Sequence, residues 1–250
     1  MSTNIKENGF ETLIVNWLVD NNAYEQGISV EYNKDYAIDE GRLFRFLEKT
    51  QKEKLEELHI LDSELEKDRF FKQLDKKLKS DGVISLLRKG MRYKHLTLDL
   101  FYVRPSIHNP DAAEKYSKNI FSVTRQLQYS KSNPLLALDV CIFLNGLPII
   151  TMELKNQLTK QNFKDAITQY KHDRNSEEPL FSFKRCIVHF AVDDNEVWMC
   201  TELKGDKSWF LPFNKGNNDR AGNPPNPNGI KTDYLWKDIL TKDELSNIIE

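Results

Sequence analysis

The stretch Leu135-Leu-Ala-Leu-Asp-Val-Cys-Ile-Phe-Leu-Asn-Gly-Leu-Pro-Ile-Ile-Thr-Met-Glu-Leu-Lys155 decides the fold. Two aliphatic, β-branched and aromatic runs flank Asn145-Gly146, a strong short-range signal for a hairpin. Three charges interrupt them. Asp139 lies inside the first run, and Glu153 and Lys155 lie near the end of the second, where burial without partners is costly. Side chains alternate along a strand, so Thr151, Glu153 and Lys155 share one face while Ile150, Met152 and Leu154 take the other. A carboxylate and an ammonium group therefore face the same space.

Metal-assisted phosphodiester hydrolysis uses such a set. Carboxylate oxygens hold Mg²⁺, the ion polarises the phosphate and acidifies water, and a lysine orients that water or steadies developing charge. Asp139, thirteen intervening residues and then Glu-Leu-Lys is the order and spacing of the PD-(D/E)xK nucleases, with Leu138 where the short motif has Pro. Asp139 and Glu153 are then metal ligands, and Asp139, Glu153 and Lys155 the catalytic residues. The plainer reading is a buried ion pair that fixes strand register. The two make different predictions: in a metal-binding site either acid can be replaced by Ala with the fold intact, whereas in an ion pair both replacements lower the melting temperature.

Register is part of the same question. A strict two-residue turn at Asn145-Gly146 pairs Leu144 with Leu147 and sets Asp139 opposite Met152, which puts Asp139 and Glu153 on opposite sides of the sheet. A three-residue loop, or a one-residue bulge in either strand, sets Asp139 across from Glu153. A shared ion thus predicts that the connection is not the tight turn its Asn-Gly suggests.

At 250 residues the chain can bury a sizeable core. With 39% hydrophobic and 30% charged residues and a formal net charge of −2, it reads as an ordinary globular protein. No apolar run approaches a membrane span and the N-terminus lacks the features of a signal peptide, so no membrane association is expected and the cytoplasm is the expected compartment. Cys141, Cys186 and Cys200, odd in number and each in an apolar setting, are expected to be reduced core residues. The balanced charge argues against coating nucleic acid by bulk electrostatics. Residues 154–174, however, hold five Lys/Arg against two Asp, which makes Lys160, Lys164, Lys171 and Arg174 candidate contacts to a DNA backbone.

Around the hairpin the pattern is mixed. Phe10, Leu13, Ile14, Trp17 and Leu18 form the stripe of a first helix, with Glu11 beside it. Residues 39–80 read as helices, and the nine acidic and nine basic side chains within 48–79 read as solvated, ion-paired faces. A short helix over 81–90 stops at Gly90. Residues 95–103 alternate as a strand containing a buried-looking acid, Asp99, then a helix is expected over 111–119 and a strand over 121–129. Residues 162–174 read as a helix, with Phe163, Ala166, Ile167 and Tyr170 on its apolar face and Gln169 at the margin. Strands over 185–192 and 196–201 follow. Strands on either side of a helix predict an α/β fold, a mixed central β-sheet flanked by helices. Residues 214–230, in which twelve of seventeen are Asn, Gly or Pro, read as a mobile loop. Thr241-Lys-Asp-Glu244 offers a capping box for a last helix. No GxxxxGK[ST] motif occurs, so ATP binding is not encoded here.

The runs Asp165-Ala-Ile-Thr-Gln-Tyr-Lys-His-Asp-Arg174, Val188-His-Phe-Ala-Val-Asp193, Glu196-Val-Trp-Met199, Phe210-Leu-Pro-Phe-Asn-Lys-Gly216, Ala221-Gly-Asn-Pro224 and Tyr234-Leu-Trp236 resemble, in this order, the N-terminal nuclease region of the restriction (R) subunit of bacterial type I restriction–modification enzymes. The resemblance covers most of the chain. It implies a restriction-endonuclease-like core that cuts double-stranded DNA with Mg²⁺ through Asp139, Glu153 and Lys155. It further implies ATP-driven motor domains, absent from this chain, and modification (methyltransferase) and specificity subunits as partners. One nuclease domain would span residues 1–250, with a helical part to about 95, the catalytic sheet at about 96–202, and the loop with a C-terminal segment over 203–250. Glu11 matches a first-helix glutamate of such nucleases in position. Members related to RecB-type nucleases also carry Gln-x-x-x-Tyr on the helix after the site; here Gln169 is followed by Asp173, and the nearest tyrosine is the adjacent Tyr170. The alternative is a catalytically silent, nuclease-like scaffold that docks DNA or other subunits.

Overall fold

The computed structural model describes residues 7–105, 109–156 and 160–250. α1 (Glu7–Asn22) leads to β1 (Glu25–Gly27), the short strands β2 (Tyr32–Asn33) and β3 (Ile38–Asp39), and the helices α2 (Glu40–Leu58), α3 (Glu64–Asp81) and α4 (Val83–Lys89). β4 (Met91–Tyr93) and β5 (Leu96–Leu98) pair with each other, and α5 (Pro110–Ser117) precedes the long strands β6 (Phe121–Gln128), β7 (Ala137–Leu144) and β8 (Leu147–Leu154). Then come α6 (Phe163–His172), β9 (Val188–Val192), β10 (Val197–Cys200), β11 (Leu211–Pro212), a π-helical turn (Leu235–Ile239) and α7 (Lys242–Ile249). Five of the helices start at side-chain caps: Asp39, Ser63, Asn109, Asn162 and Thr241 each accept a first-turn N–H. The charged faces of α2 and α3 are laced by pairs such as Lys52–Glu56, Lys72–Asp68 and Lys79–Asp75, as expected of solvated helices.

Among the described residues, seven strands form one mixed sheet in the order β1-β6-β7-β8-β9-β10-β11. β1 with β6 and β8 with β9 are parallel, and the other neighbours antiparallel. A parallel pair needs a crossover, and α6, packed on β8 and β9, supplies it. The larger core joins Phe10, Ile14 and Leu18 of α1 and residues of α2 to α4 to Val140, Ile142, Met152 and Leu154 of the sheet. A smaller core joins Cys141 and Phe143 to Ala166, Tyr170 and Phe181. All three cysteines are buried and free.

The central connection corrects the expected register in one part and supports it in another. β7 and β8 do close on the two-residue turn, with Asn145 and Gly146 at φ of 50° and 81° and Leu144 paired with Leu147. Phe143 then pairs with Pro148 but Ile142 with Ile150, so Ile149 is an extra residue in β8. Pro148 has no N–H for the ladder, and inside a sheet a bulge is where that loss is tolerated. Beyond the bulge Val140 pairs with Met152, the register that sets Asp139 beside Glu153. The turn itself is buried. Asn145 accepts from Ile120 N at 2.6 Å and donates to Leu100 O at 2.9 Å, and a Cβ on Gly146 would come within 2.3 Å of Asp39 O.

Two other expectations change. The strand over 95–103 stops at Leu98, because side-chain amides and not a neighbouring strand bind the backbone beyond it. Gln51 spans Asp99 N and O, both at 2.8 Å, and Asn119 spans Tyr102 N and O at 3.2 and 2.7 Å. Asp99 is half-exposed, 3.6 Å from Lys54. The Asn-rich segment 214–230 is pinned rather than loose: Asn214 accepts from Val197 N at 2.9 Å, and Asn223 donates to Asn195 O at 2.9 Å and to Asn214 at 2.8 Å.

Candidate active site

Asp139, Glu153 and Lys155 are all buried, Glu153 completely. Asp139 Oδ2 accepts the N–H of Leu154 at 2.7 Å, which anchors its carboxylate one residue from Glu153. Glu153 Oε1 accepts from Arg174 Nε at 2.6 Å, while Oε2 is buried and accepts no hydrogen bond among the described residues. Burial, followed by the Asp139 charge, pushes the Glu153 carboxyl well above the usual carboxylate range, against the pull of Arg174 and Lys155. Arg174 is thereby corrected as a DNA contact. It is 4% exposed, donates also to Tyr129 Oη at 3.2 Å and Ala137 O at 2.8 Å, and lies over the Tyr129 ring. A fully buried Glu153 needs a compensating cation, and Arg174, just past the end of α6, supplies it. The plainer ion-pair reading is therefore present for Glu153, with Arg174 as the partner.

Glu11 is buried and joined to the same place. Gln126 Nε2 donates to Glu11 Oε1 at 2.7 Å and to Asp139 Oδ1 at 3.3 Å, and Arg125 Nε lies 3.7 Å from Glu11 Oε2. Sequence reasoning missed Gln126: its place opposite Asp139 follows from the β6–β7 register, and no short turn motif between those strands fixes that register. Tyr170 is buried on α6, but its hydroxyl meets Thr151 Oγ1 at 2.8 Å instead of Glu153, and Thr151 Oγ1 in turn lies 2.7 Å from His189 Nδ1. Burial lowers the His189 pKa from 6.5 to about 3, so the ring is neutral. Gln169 is half-buried on α6; Lys160 and Lys164 are exposed and Lys171 half-buried.

Among the described residues no three His, Cys, Asp or Glu side chains gather into a metal cage. The donor set at β7 and β8 is two carboxylates, one of which has a buried oxygen with no hydrogen bond among the described residues. That set fits Mg²⁺, which keeps several waters and is held by one or two carboxylates with substrate phosphate, better than Zn²⁺ or Ca²⁺.

A family model described as the type I restriction enzyme R protein N terminus matches residues 4–208. A Methanocaldococcus jannaschii protein named as a type I restriction enzyme MjaVIIIP endonuclease subunit is 26% identical over 136 residues, 53% of this chain and 11% of that protein. The chain thus spans a small fraction of that relative's length. Because the family match runs over most of its residues, the chain belongs to the type I restriction enzyme R protein N-terminal family.

Proposed function

We propose that this chain is the Mg²⁺-dependent nuclease module of a type I restriction enzyme R subunit, cutting double-stranded DNA endonucleolytically with Asp139, Glu153 and Lys155. The bulge at Ile149 carries the reading: it brings Asp139 beside Glu153 although the Asn145-Gly146 turn alone would part them. A divalent cation on those two carboxylates would polarise a phosphodiester and acidify water. Leu154 N–H and the Gln126 amide fix the direction of the Asp139 carboxylate, and Arg174 occupies Glu153 Oε1 and leaves Oε2 to the site. Lys155, on the Glu153 side of β8, orients the attacking water and steadies charge on the phosphate, and in-line displacement leaves a 5′-phosphate and a 3′-hydroxyl. In this scheme residues 1–250 act as one unit, and Lys160, Lys164 and Lys171 meet DNA phosphates. ATP-driven translocation, base recognition and methylation fall to the rest of the enzyme and its modification and specificity subunits, all in the cytoplasm.

The test is supercoiled plasmid with Mg²⁺. The wild-type chain is expected to yield nicked and linear product, and Lys155→Ala at least about 100-fold less. Equal cleavage by both would remove Lys155 from the mechanism, and plasmid left intact by the wild type would favour the silent DNA-docking or inter-subunit scaffold.

A further inference from the structure

Gln126 sits within β6 at a φ of 50°, a left-handed conformation that disfavours any residue with a Cβ and is foreign to a strand. The ladder keeps register around it, with Arg125 on Val140 and Leu127 on Leu138, but the pair between them, Gln126 and Asp139, is missing. On one side of that gap the alternate residues Val123, Val140 and Ile142 join the larger core while Cys141 and Phe143 lie in the smaller; on the other side Leu127 and Leu138, in the same alternation as Val123 and Val140, join the smaller. The kink therefore lies level with Asp139, where this alternating set of side chains passes from one core to the other, and there the Gln126 side chain meets α1. Its Nε2 lies 2.7 Å from Glu11 Oε1 and 3.3 Å from Asp139 Oδ1. Both acceptors are carboxylate oxygens, so the NH₂ end of the amide must be the one facing them. Joining α1 to β6 does not call for this strain, since Arg125 already does so through Thr12 Oγ1 at 3.0 Å and the Glu11 carboxylate.

We propose that Gln126 is a positioning residue of the active site: anchored on Glu11 of α1, its amide fixes the direction of the Asp139 carboxylate for the divalent cation, and the left-handed backbone is what lets it reach both carboxylates. The proposal rests on the nuclease reading above. Residues that orient metal ligands from behind typically change metal affinity about 10- to 100-fold when replaced.

Two variants test it. Gln126→Gly suits the backbone and deletes the amide; Gln126→Asn tolerates the left-handed region but is one methylene too short to span both carboxylates. Mn²⁺ affinity of the 250-residue chain is measured by titration calorimetry without DNA, and the melting temperature without metal. Expected is at least about 10-fold weaker Mn²⁺ binding in both variants, with Gln126→Gly melting no lower than the wild type. Mn²⁺ affinity unchanged in both, with a lower melting temperature, would reduce Gln126 to a strut between α1 and β6 and overturn the proposal. Asp139→Asn separates the two readings. Wild-type binding that is absent, or indifferent to Asp139→Asn, sinks the nuclease reading and this proposal together, whereas binding that needs Asp139 but ignores Gln126 sinks the proposal alone.

Discussion

Arg174 determines how Glu153 can be tested. Removing a carboxylate from a like-charged pair is ordinarily harmless to the fold, and Asp139→Asn is expected to leave stability nearly unchanged while abolishing cleavage. Glu153→Ala is different, because it strands a buried guanidinium. It should cost about 3 to 5 kcal/mol in urea unfolding, against clearly less for Glu153→Gln, which keeps an acceptor for Arg174 Nε. Equal stabilities for the two variants would mean that the pair does not form. His189 makes a second residue-level prediction. The folded chain keeps it neutral down to about pH 3, whereas the unfolded chain takes up its proton below 6.5. Its contribution is complete above the unfolded value and is lost as the pH falls toward the folded one. From pH 7 to 5 this linkage amounts to about 2 kcal/mol, so His189→Asn should lose that much less stability than the wild type over the same interval. Parallel stability profiles would place His189 in contact with water.

The tight turn between β7 and β8 is predicted to be the least replaceable element. In Gly146→Ala a Cβ would join a φ of 81° and meet Asp39 O at 2.3 Å and Leu43 N at 2.7 Å, both backbone atoms that cannot swing away. A loss of about 3 kcal/mol or more is expected in denaturant unfolding; a neutral result would show α2 free to move off the hairpin. What could be read from residues alone was local: the Asn145-Gly146 turn, the Thr241 cap, and the apolar stripes of α1 and α6. A bulge follows from requiring Asp139 and Glu153 to share an ion, and Pro148, an interior-strand proline whose missing donor calls for an irregularity, marks β8 as the strand that carries it. The backbone of 99–102 misled because its partners, Gln51 and Asn119, are side chains distant in sequence, which no alternation pattern reveals. Arg174 misled for a related reason. A positive residue at the end of a polar helix looks solvated until the strand beneath it is known to carry a buried glutamate.

For the whole molecule, a net charge of −2 cannot steer DNA over long range, so binding should depend on local lysines alone. Affinity is expected to be weak, indifferent to sequence in competition assays, and steep in salt. Lys160→Ala and Lys164→Ala should each flatten the plot of log affinity against log salt by about one unit. Arg174→Lys, buried on Glu153, should leave that slope alone. A slope that responds to Arg174 and not to the two exposed lysines would move the DNA path to another face.

Hairpin tips are ordinarily where a protein accepts foreign sequence or new chain ends. The tip at Asn145-Gly146 is closed to both: Gly146 O accepts from Asp39 N at 2.9 Å, and Asn145 N donates to Ile120 O at 2.8 Å, so an inserted peptide would have no route to solvent. New termini or a grafted epitope belong instead at the exposed pair Asp206 and Lys207, in a local turn whose Lys207 N–H bonds only back to Lys204 O at 3.2 Å. A circular permutant opened there should fold, whereas one opened at the central turn should collapse without its sheet, which makes the middle of this chain, and not its ends, the part that must be built in one piece.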